Sequence, residues 1–448
     1  MNATVTYEPY WWETAPAVPG PPLPGNVHCD VAIIGGGFTG LWTAHQLKLA
    51  QPGLDVQVIE AEHAGAGASG HADGFITPTI GHSLSALIGR FGADRAKVAY
   101  AVVARSILEI GRFCRKYGVD AEVDPTGYLQ VASTPEQIRW LEHDIELADQ
   151  LGAGGSVKLM DRAEARNRID SPAIHGAIKV AGALVNPRRL VRGIFRVVRE
   201  QGVPVHEQTR ALSIERTGAG YVVTTPHGRV TAPKLVLGTD AYQHEFRGFR
   251  DKVKPFWSYA VVTEPLTDDQ LASMHWPDRE GFVEARNVIV FARLTRTNRL
   301  LIGGGPAPYF YGRDMDERRH MRNPAATRVL RETLGRYFPQ WKDLHFTHEY
   351  GGCIGMTRDF VPHVGTTGDG LYYAYGYCGN GTALSHTIGK VLRDLVLERT
   401  SAYTSLLFVD GQEPSYAPEP LSYLGARTRS TLMALQDRYP KLVKRQIV

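Results

Sequence analysis

The feature that most constrains the fold is the stretch of residues 29–60, which reads CDVAIIGGGFTGLWTAHQLKLAQPGLDVQVIE. A short apolar run leads into three glycines with GxGxxG spacing, and a segment with helical periodicity follows. A second apolar run then ends at an acidic residue. This order predicts a strand, a tight turn, a helix and a second, parallel strand.

Residues of these types at these places suit a dinucleotide. Gly35 permits the tight turn, and Gly37 lets the main chain approach a pyrophosphate at the positive end of the helix. Gly40 allows the helix to pack closely on the strand, and Glu60 is placed to accept hydrogen bonds from a ribose. The sequence therefore predicts a dinucleotide site. A parallel crossover without a ligand is the alternative.

The charge balance and the apolar runs bear on the class of partner. The 448 residues carry 50 Lys+Arg against 46 Asp+Glu, and a formal net charge of +4 is small for this length. We therefore expect no nucleic-acid surface. No apolar run approaches the roughly 20 residues that span a bilayer, and the start MNATVTYEPYWW lacks the order of a signal peptide. No membrane partner and no metal site are predicted.

Cysteine usage indicates the compartment. The four cysteines, at positions 29, 114, 353 and 378, are too few and too scattered for a disulfide framework. A reducing, cytoplasmic location is therefore expected. The sequence does not predict the oligomeric state.

Two further glycine-rich segments extend the opening pattern. Residues 61–75, AEHAGAGASGHADGF, follow Glu60 directly, and their small side chains let the main chain pass close to a large, flat group. A flexible linker is the alternative for this loop. Near the other end, residues 371–375 read as a strand, residues 376–381 as a glycine turn, and a helix begins at Ala383. An ordinary strand-to-helix turn is the alternative there.

These patterns predict an α/β protein, α+β overall, in which a mixed-sheet substrate domain is interposed in a Rossmann-like dinucleotide-binding domain. The proline-rich N-terminus is expected to run extended over the surface. The expected divisions are an extended segment over 1–26, a discontinuous cofactor-binding domain over 27–85, 155–250 and 340–400, a substrate domain over 86–154 and 251–339, and a C-terminal tail over 401–448.

Nine segments in a characteristic order span nearly the whole chain. They are YWWETAP, PPLPG, DVAIIGGGFTGLWTA, GASGHADGF, KLVLGTDAY, VVTEPL, FARLTRTNRLLIGGG, GGCIGMTRDFVPHVG and LYYAYGYCGNGTALSHTIGK. In these segments the chain resembles the FAD-dependent amine and amino-acid oxidases of the D-amino-acid oxidase superfamily. The similarity is greatest to the gamma-glutamylputrescine oxidase-like branch. The resemblance implies FAD rather than NAD.

The resemblance also implies which residues hold FAD. The ADP half is implied to lie along the first glycine turn, and the pyrimidine edge of the flavin near the N-terminus of the last helix. The implied FAD-binding residues are Gly35, Gly37, Phe38, Thr39, Gly40, Glu60, Ala61, Gly67, Ala68, Ser69, His71, Ala72, Leu212, Thr239, Gly352, Gly379, Gly381 and Thr382.

His71 departs from the family pattern. The branch typically has GASGRNGG where this chain has GASGHADG, so His71 stands in the place of an arginine. Related dehydrogenases of dimethylglycine and sarcosine have a histidine there that is bonded covalently to the flavin. Monomeric sarcosine oxidases have one that only contacts the flavin. A covalent link, a non-covalent contact and a structural role are therefore all open for His71.

Two other family features are displaced or missing. Sarcosine oxidases bond the flavin through a cysteine shortly before a Thr-x-Asp motif, but Cys353 is offset by one residue, which reverses the face of a strand. We therefore expect Cys353 and Cys378 to be buried thiols. The oxygen-activating lysine of those enzymes corresponds here to Leu301.

The resemblance implies oxidation of a primary or secondary amine, which can carry an acidic group, to an imine. The imine is hydrolysed to an aldehyde plus an amine or ammonia, and O2 is reduced to H2O2. The alternative is a dehydrogenase of amines or N-methyl amino acids that passes electrons to a carrier protein or quinone. A flavoprotein that acts on modified RNA is a remote alternative.

The candidate catalytic residues are His71, Tyr259 and Arg293. We expect the substrate between the aromatic segment 256–259 and the segment 291–293, where Arg293 would bind an acidic group. Core packing is the alternative for Tyr259, and contact with the flavin or with solvent is the alternative for Arg293. Asp73, in place of a usual glycine, is a further candidate partner for the amine, or a surface turn.

Overall fold

The computed structural model describes residues 5–81, 84–152 and 157–439. The last nine residues of the predicted C-terminal tail, 440–448, lie outside the described residues. The strands are β1 (Val27–His28), β2 (Val31–Ile34), β3 (Val56–Ile59), β4 (Phe75–Ile76), β5 (Tyr128–Ala132), β6 (Leu159–Met160), β7 (Gly176–Val180), β8 (Ala183–Leu184), β9 (Val205–His206), β10 (Ser213–Thr217), β11 (Gly220–Thr225), β12 (Gly228–Ala232), β13 (Lys234–Leu237), β14 (Val253–Pro265), β15 (Gly281–Glu284), β16 (Val290–Leu294), β17 (Arg299–Gly304), β18 (Phe346–Thr357), β19 (His363–Thr366) and β20 (Leu371–Tyr375). The helices are α1 (Tyr10–Thr14), α2 (Phe38–Ala50), α3 (Ala68–His71), α4 (Leu84–Phe91), α5 (Ala93–Tyr117), α6 (Pro135–Gln150), α7 (Arg162–Arg166), α8 (Pro187–Glu200), α9 (Asp268–Ala272), α10 (Glu317–His320), α11 (Pro324–Tyr337), α12 (Gly381–Val396) and α13 (Leu421–Arg438).

The predicted strand, turn, helix and strand unit is confirmed as β2, α2 and β3. Strands β2 and β3 are parallel neighbours in a six-stranded sheet of order β19-β20-β13-β2-β3-β9. Strand β13 is parallel to both β2 and β20, and only β19 runs antiparallel to its neighbour. Every residue of β2 is buried, which agrees with its unbroken apolar sequence because a parallel sheet is covered on both faces.

A second large sheet has the order β18-β14-β17-β16-β15-β5-β7-β6 and is mixed, as expected for a substrate domain. Strands β6, β7 and β18 pair in this sheet, although the predicted boundaries assign them to the cofactor-binding part. Strand β18 joins this sheet because β14 pairs with it along its length, and β7 joins it by pairing with β5 and β6. The sequence pattern does not reveal these pairings. The division into domains otherwise stays a prediction.

Both ends of the chain differ from the extended segment and tail that the sequence predicts. Residues 10–14 form helix α1, whose Tyr10 and Trp11 are buried against Ala260 and Leu301. Burial of two large aromatic side chains stabilises this docking, which the prolines that follow do not disturb. At the other end, residues 421–438 form helix α13 rather than a tail.

Within the described ranges, no helix combines the length and the apolar composition that crossing a bilayer requires.

The close packing of α2 on α12 depends on a glycine. A Cβ at position 389 would lie 2.8 Å from the Cβ of Trp42 and 3.0 Å from its carbonyl carbon. We therefore expect Gly389→Ala to lower the free energy of unfolding by ~1–3 kcal/mol through overpacking. The measurement is thermal unfolding followed by fluorescence.

Gly89 is the matched control, because it is exposed in helix α4 and a Cβ there would meet no atom within 4 Å. Gly89→Ala should leave the melting temperature unchanged or raise it, since alanine favours a helix by ~0.5–1 kcal/mol over glycine. Equal melting temperatures for the two variants would contradict the account of the α2–α12 contact.

Candidate active site

A cavity of about 1030 Å³ is lined by both large sheets and by the three glycine-rich segments. Of the residues expected to bind FAD, those that line it are Gly35, Gly37, Phe38, Thr39, Glu60, Ala61, Gly67, Ala68, Ser69, His71, Ala72, Thr239, Gly352, Gly379, Gly381 and Thr382. Gly40 and Leu212 are not among the lining residues. Segments far apart in the sequence thus meet at one cavity.

The first glycine turn forms the start of helix α2. The carboxylate of Glu60 accepts the N–H of Gly36 at 2.7 Å, and the hydroxyl of Ser69 accepts the N–H of Phe38 at 2.9 Å. Gly40 lies behind the turn, where a Cβ would collide with the carbonyl oxygen of Gly35. Gly40 therefore acts through the helix–strand contact that its spacing predicts, and not as part of the cavity wall.

Glu60 is held at the end of β3 by main-chain donors. Its second carboxylate oxygen accepts the N–H of Glu62 at 3.0 Å. Burial raises the pKa of Glu60 to about 7, although both hydrogen bonds oppose the shift. A ligand hydroxyl that donates to this carboxylate would stabilise its charged form.

His71 ends the short helix α3, and its ring is buried in the cavity wall. Neither ring nitrogen makes a well-formed hydrogen bond within the described residues, although the main chain at Gly351 and Ala66 acts on the ring. The ring packs against Trp12 at 5.4 Å between centroids, and burial lowers the pKa of His71 to about 4. His71 is therefore a neutral imidazole at neutral pH, and its ring nitrogens make no well-formed hydrogen bond within the described residues.

Strand β18 passes directly over His71. A Cβ at Gly352 would lie 3.1 Å from the Cβ of His71, so the strand approaches this closely because the residue is glycine. Helix α12 starts beside it, with Gly379, Gly381 and Thr382 in the cavity wall. The positive end of a helix of four turns thus faces the same cavity as the imidazole.

Asp240 joins these elements. Its carboxylate accepts the N–H of Gly355 in β18 at 3.0 Å and that of Gly376, before α12, at 2.8 Å. Burial raises the pKa of Asp240, and the main-chain donors oppose the shift. The sequence places Asp240 in the Gly-Thr-Asp turn after β13, but it gives no signal that this carboxylate binds main-chain N–H groups of other elements.

Leu212, which was expected to bind FAD, is not among the residues that line the cavity. Its side chain is 60% exposed, and its N–H donates to the carbonyl of Thr224. Ala211, one residue earlier, lines the cavity together with Thr239. Successive residues of an extended segment point to opposite sides, so an offset of one residue changes which of them reaches the cavity.

The candidate catalytic residues separate into two groups. His71 and Tyr259 line the cavity, but Arg293 does not. Arg293 Nη1 donates to the carbonyls of Gly74 and Val185, both at 2.8 Å. One guanidinium nitrogen of Arg293 is thus used by main-chain carbonyls under the loop that follows His71, whereas its Nε has no hydrogen-bond partner among the described residues. Substrate binding by Arg293 stays a prediction.

Asp73, in contrast, lines the cavity and is not on a surface turn. Burial raises the pKa of Asp73 to about 7, and the nearby charge of Arg293 lowers it only in part. A carboxyl group of this kind changes charge near neutral pH.

The cysteines are free and buried within the described chain. Burial raises the pKa of Cys353 well above its ordinary value, so the thiol stays protonated and is a poor nucleophile. Burial also raises the pKa of Cys378 to about 12. Leu301 is buried against Tyr10 and Trp11 rather than in the cavity wall.

Sequence reasoning missed one wall of the cavity. Helix α13 contributes Ser422, Gly425 and Arg429, and Arg358 joins them from the turn after β18. The spacing of three and four residues along α13 is a signal for one helix face, but an amphipathic helix does not by itself indicate which part of the protein it covers.

Comparisons with known proteins agree with this architecture. The chain is 29% identical over 394 residues to gamma-glutamylputrescine oxidoreductase of Escherichia coli (strain K12), which covers 85% of this chain and 87% of the relative. Two solved structures have the same fold. Glycine oxidase from Geobacillus kaustophilus has a TM-score of 0.71 at 21% identity and covers 87% of this chain and 100% of its own. L-proline dehydrogenase from P.horikoshii has a TM-score of 0.71 at 20% identity and covers 86% and 96%. The family model described as FAD dependent oxidoreductase (DAO) matches residues 30–395, and this chain therefore belongs to the DAO family of FAD-dependent oxidoreductases.

Proposed function

We propose that the protein oxidises a primary or secondary amine at the carbon next to nitrogen, with FAD as cofactor and O2 as electron acceptor. Two electrons and two protons leave the amine as it becomes an imine, and O2 is reduced to H2O2. Water then hydrolyses the imine to an aldehyde plus an amine or ammonia. The observation that carries the proposal is the convergence of two helix N-termini and a small-residue loop on one cavity.

The residues present fit FAD. The first glycine turn and Glu60 would hold the ADP half, since a helix N-terminus receives a pyrophosphate and the carboxylate receives ribose hydroxyls. The buried imidazole of His71 and the bare main chain of Gly352 lie together in the cavity wall, and they suit a flat ring that contacts both. When bound, FAD supplies the hydride acceptor.

His71 would contact the flavin, either through a covalent bond to its methyl group or without one. Its low pKa keeps a nitrogen lone pair available in either case. Acid precipitation distinguishes these two possibilities. A covalently bound flavin stays in the protein pellet, whereas a flavin that is bound without a covalent link passes into the supernatant.

The start of α12 would lie at the pyrimidine edge of the flavin. Main-chain N–H groups there present about half a positive charge, which favours electron density on that edge by ~0.3–1 kcal/mol, or up to ~2 when partly buried. The chain supplies this charge from a fixed helix, so no side chain has to move.

Amine chemistry is supported by the similar proteins and by the cavity wall. Gamma-glutamylputrescine oxidoreductase, glycine oxidase and L-proline dehydrogenase are all named for compounds that carry an amino group. Aromatic side chains of Phe256 and Tyr259 line the cavity and suit an amine or its cation. Asp73 would accept an N–H of that amine. The free thiols support a reducing, cytoplasmic location.

The proposed reaction is tested by mixing the purified holoenzyme with a panel of amines without oxygen, and the matched alcohols serve as controls. We expect at least one amine, and no alcohol, to bleach the flavin absorbance. Readmitted air should restore the colour with one H2O2 per amine consumed. Failure of every amine would contradict the proposed reaction, and bleaching without peroxide would contradict O2 as the acceptor.

Asp73 gives the reaction a pH dependence. Because the pKa of Asp73 is raised to about 7, the group is a carboxylate above that pH and neutral below it. We expect kcat/KM to fall as pH is lowered through about 7, since the neutral acid holds the amine less well. Asp73→Asn should lower kcat/KM by about 10- to 100-fold, mainly through KM, and remove that limb of the profile.

Asp94→Asn is the control, because Asp94 is exposed in the first turn of α5. Its pH profile should match that of the unmodified protein. A limb near pH 7 that persists in Asp73→Asn would show that another group titrates there.

A further inference from the structure

Helix α13 lies outside the residues that the family model matches, yet it forms one wall of the cavity. Leu421, Gly425, Arg429 and Met433 line the cavity, and they recur every fourth residue. Residues at this spacing share one helix face. The C-terminal helix therefore presents a continuous face to the site that the family domain builds.

Arg429 is the cation on that face, and its guanidinium is unsatisfied. The group lies over the ring of Phe360, 4.2 Å from the ring centroid. Its Nε and Nη2 atoms are buried and have no hydrogen-bond partner among residues 5–81, 84–152 and 157–439. Buried N–H groups without acceptors are costly, so their retention here indicates an acceptor that arrives with a ligand.

Among the groups that shift the pKa of Arg429 in the described part of the chain there is no carboxylate. Burial lowers the pKa of Arg429, and the groups that oppose the shift are Tyr416 and Cys378. Acidic side chains close to this end of the cavity have other partners: Asp359 pairs with Arg90 and His363, and Glu419 pairs with Lys254. The positive charge of Arg429 is therefore available to an anion in the cavity.

A second guanidinium lies at the same end. Arg358 lines the cavity and donates from Nη1 to the carbonyl of Ser415 at 3.3 Å, beside Tyr416. The segment at 415–416 thus lies between the two arginines. Cys378, next to Gly379 at the start of α12, also lines this region.

We propose that Arg429 binds a carboxylate of the substrate, so that the amine oxidised by this protein is an amino acid or another amine with a carboxylate. The inference rests on the proposed function. The planar guanidinium of Arg429, which lies over the ring of Phe360, can donate two parallel hydrogen bonds to the two oxygens of a carboxylate. Helix α13 then serves as a specificity element, and it supplies the role that the sequence assigned to Arg293.

The first test is binding, which needs no turnover. Butyrate and glutarate, which carry no amine to be oxidised, are titrated into the holoenzyme and followed by flavin absorbance and by calorimetry. We expect saturable binding, and we expect Arg429→Met to raise Kd by about 10- to 100-fold because a charged hydrogen-bonded pair is lost. Arg429→Lys keeps the charge without the fork and should give an intermediate Kd.

Arg427 provides the matched control on the same helix. It is exposed and donates only within α13, to the hydroxyl of Tyr423 at 3.2 Å. Arg427→Met should bind butyrate like the unmodified protein. Melting temperature and flavin content are measured for all three variants, so that a folding defect in Arg429→Met is recognised. If Arg429→Met is misfolded, the Kd of Arg429→Lys is the measurement that tests the inference.

The second test compares 4-aminobutyrate with butylamine, and glycine with methylamine, as reductants of the flavin. The carboxylate member of a pair should reduce it faster, and Arg429→Met should remove that preference while Arg427→Met keeps it. Absence of carboxylate binding in the unmodified protein, or an unchanged Kd in Arg429→Met, overturns the inference. Loss of flavin in both Arg429 variants also overturns it, because Arg429 would then hold the cofactor.

The two proposals fail in distinguishable ways. If no amine reduces the flavin but butyrate binds through Arg429, amine oxidation is wrong and the anion site stands. If amines reduce the flavin with no preference for a carboxylate, only the role of Arg429 is wrong.

Discussion

The cavity depends on the buried carboxylate of Asp240. It follows β13 of the six-stranded sheet, and its oxygens accept main-chain N–H groups from β18 of the other sheet and from the turn before α12. A carboxylate is costly to bury, as the raised pKa of Asp240 reflects, and these donors offset the cost. The two sheets and the last glycine turn are thereby held in one arrangement, and the cavity is the space between them.

Glycines then decide how closely the main chain borders that space. Gly40 brings α2 against β2, and Gly352 brings β18 against His71. The polar groups that the described residues leave facing the cavity are an imidazole without a well-formed hydrogen bond, a carboxyl group that titrates near neutral pH and a guanidinium without an acid. Polar groups of three different kinds around one cavity are typical of a ligand-binding site. In the proposed function and the further inference they serve a ring, an amine and an anion.

The sequence predicted the nucleotide-binding half well, because local signals determine it. Apolar runs, glycine spacing and the acid at position 60 specify β2, α2 and β3 almost to the residue. The sequence analysis placed Cys353 on a strand but did not predict the length of β18 or its pairing with β14, since the glycines at 351, 352 and 355 weaken the strand pattern. Arg293 and Arg429 could not be distinguished from sequence, because which arginine faces a cavity depends on loops and a helix packed from elsewhere in the chain.

The central claim is that the flavin ring lies between His71 and the start of α12. A crystal structure of the flavin-loaded protein tests it most directly. The account predicts the isoalloxazine in contact with His71 and Gly352, with its pyrimidine edge at the main-chain N–H groups of Gly381 and Thr382. An isoalloxazine that leaves His71 without contact, or that turns its dimethylbenzene end to α12, would contradict the account.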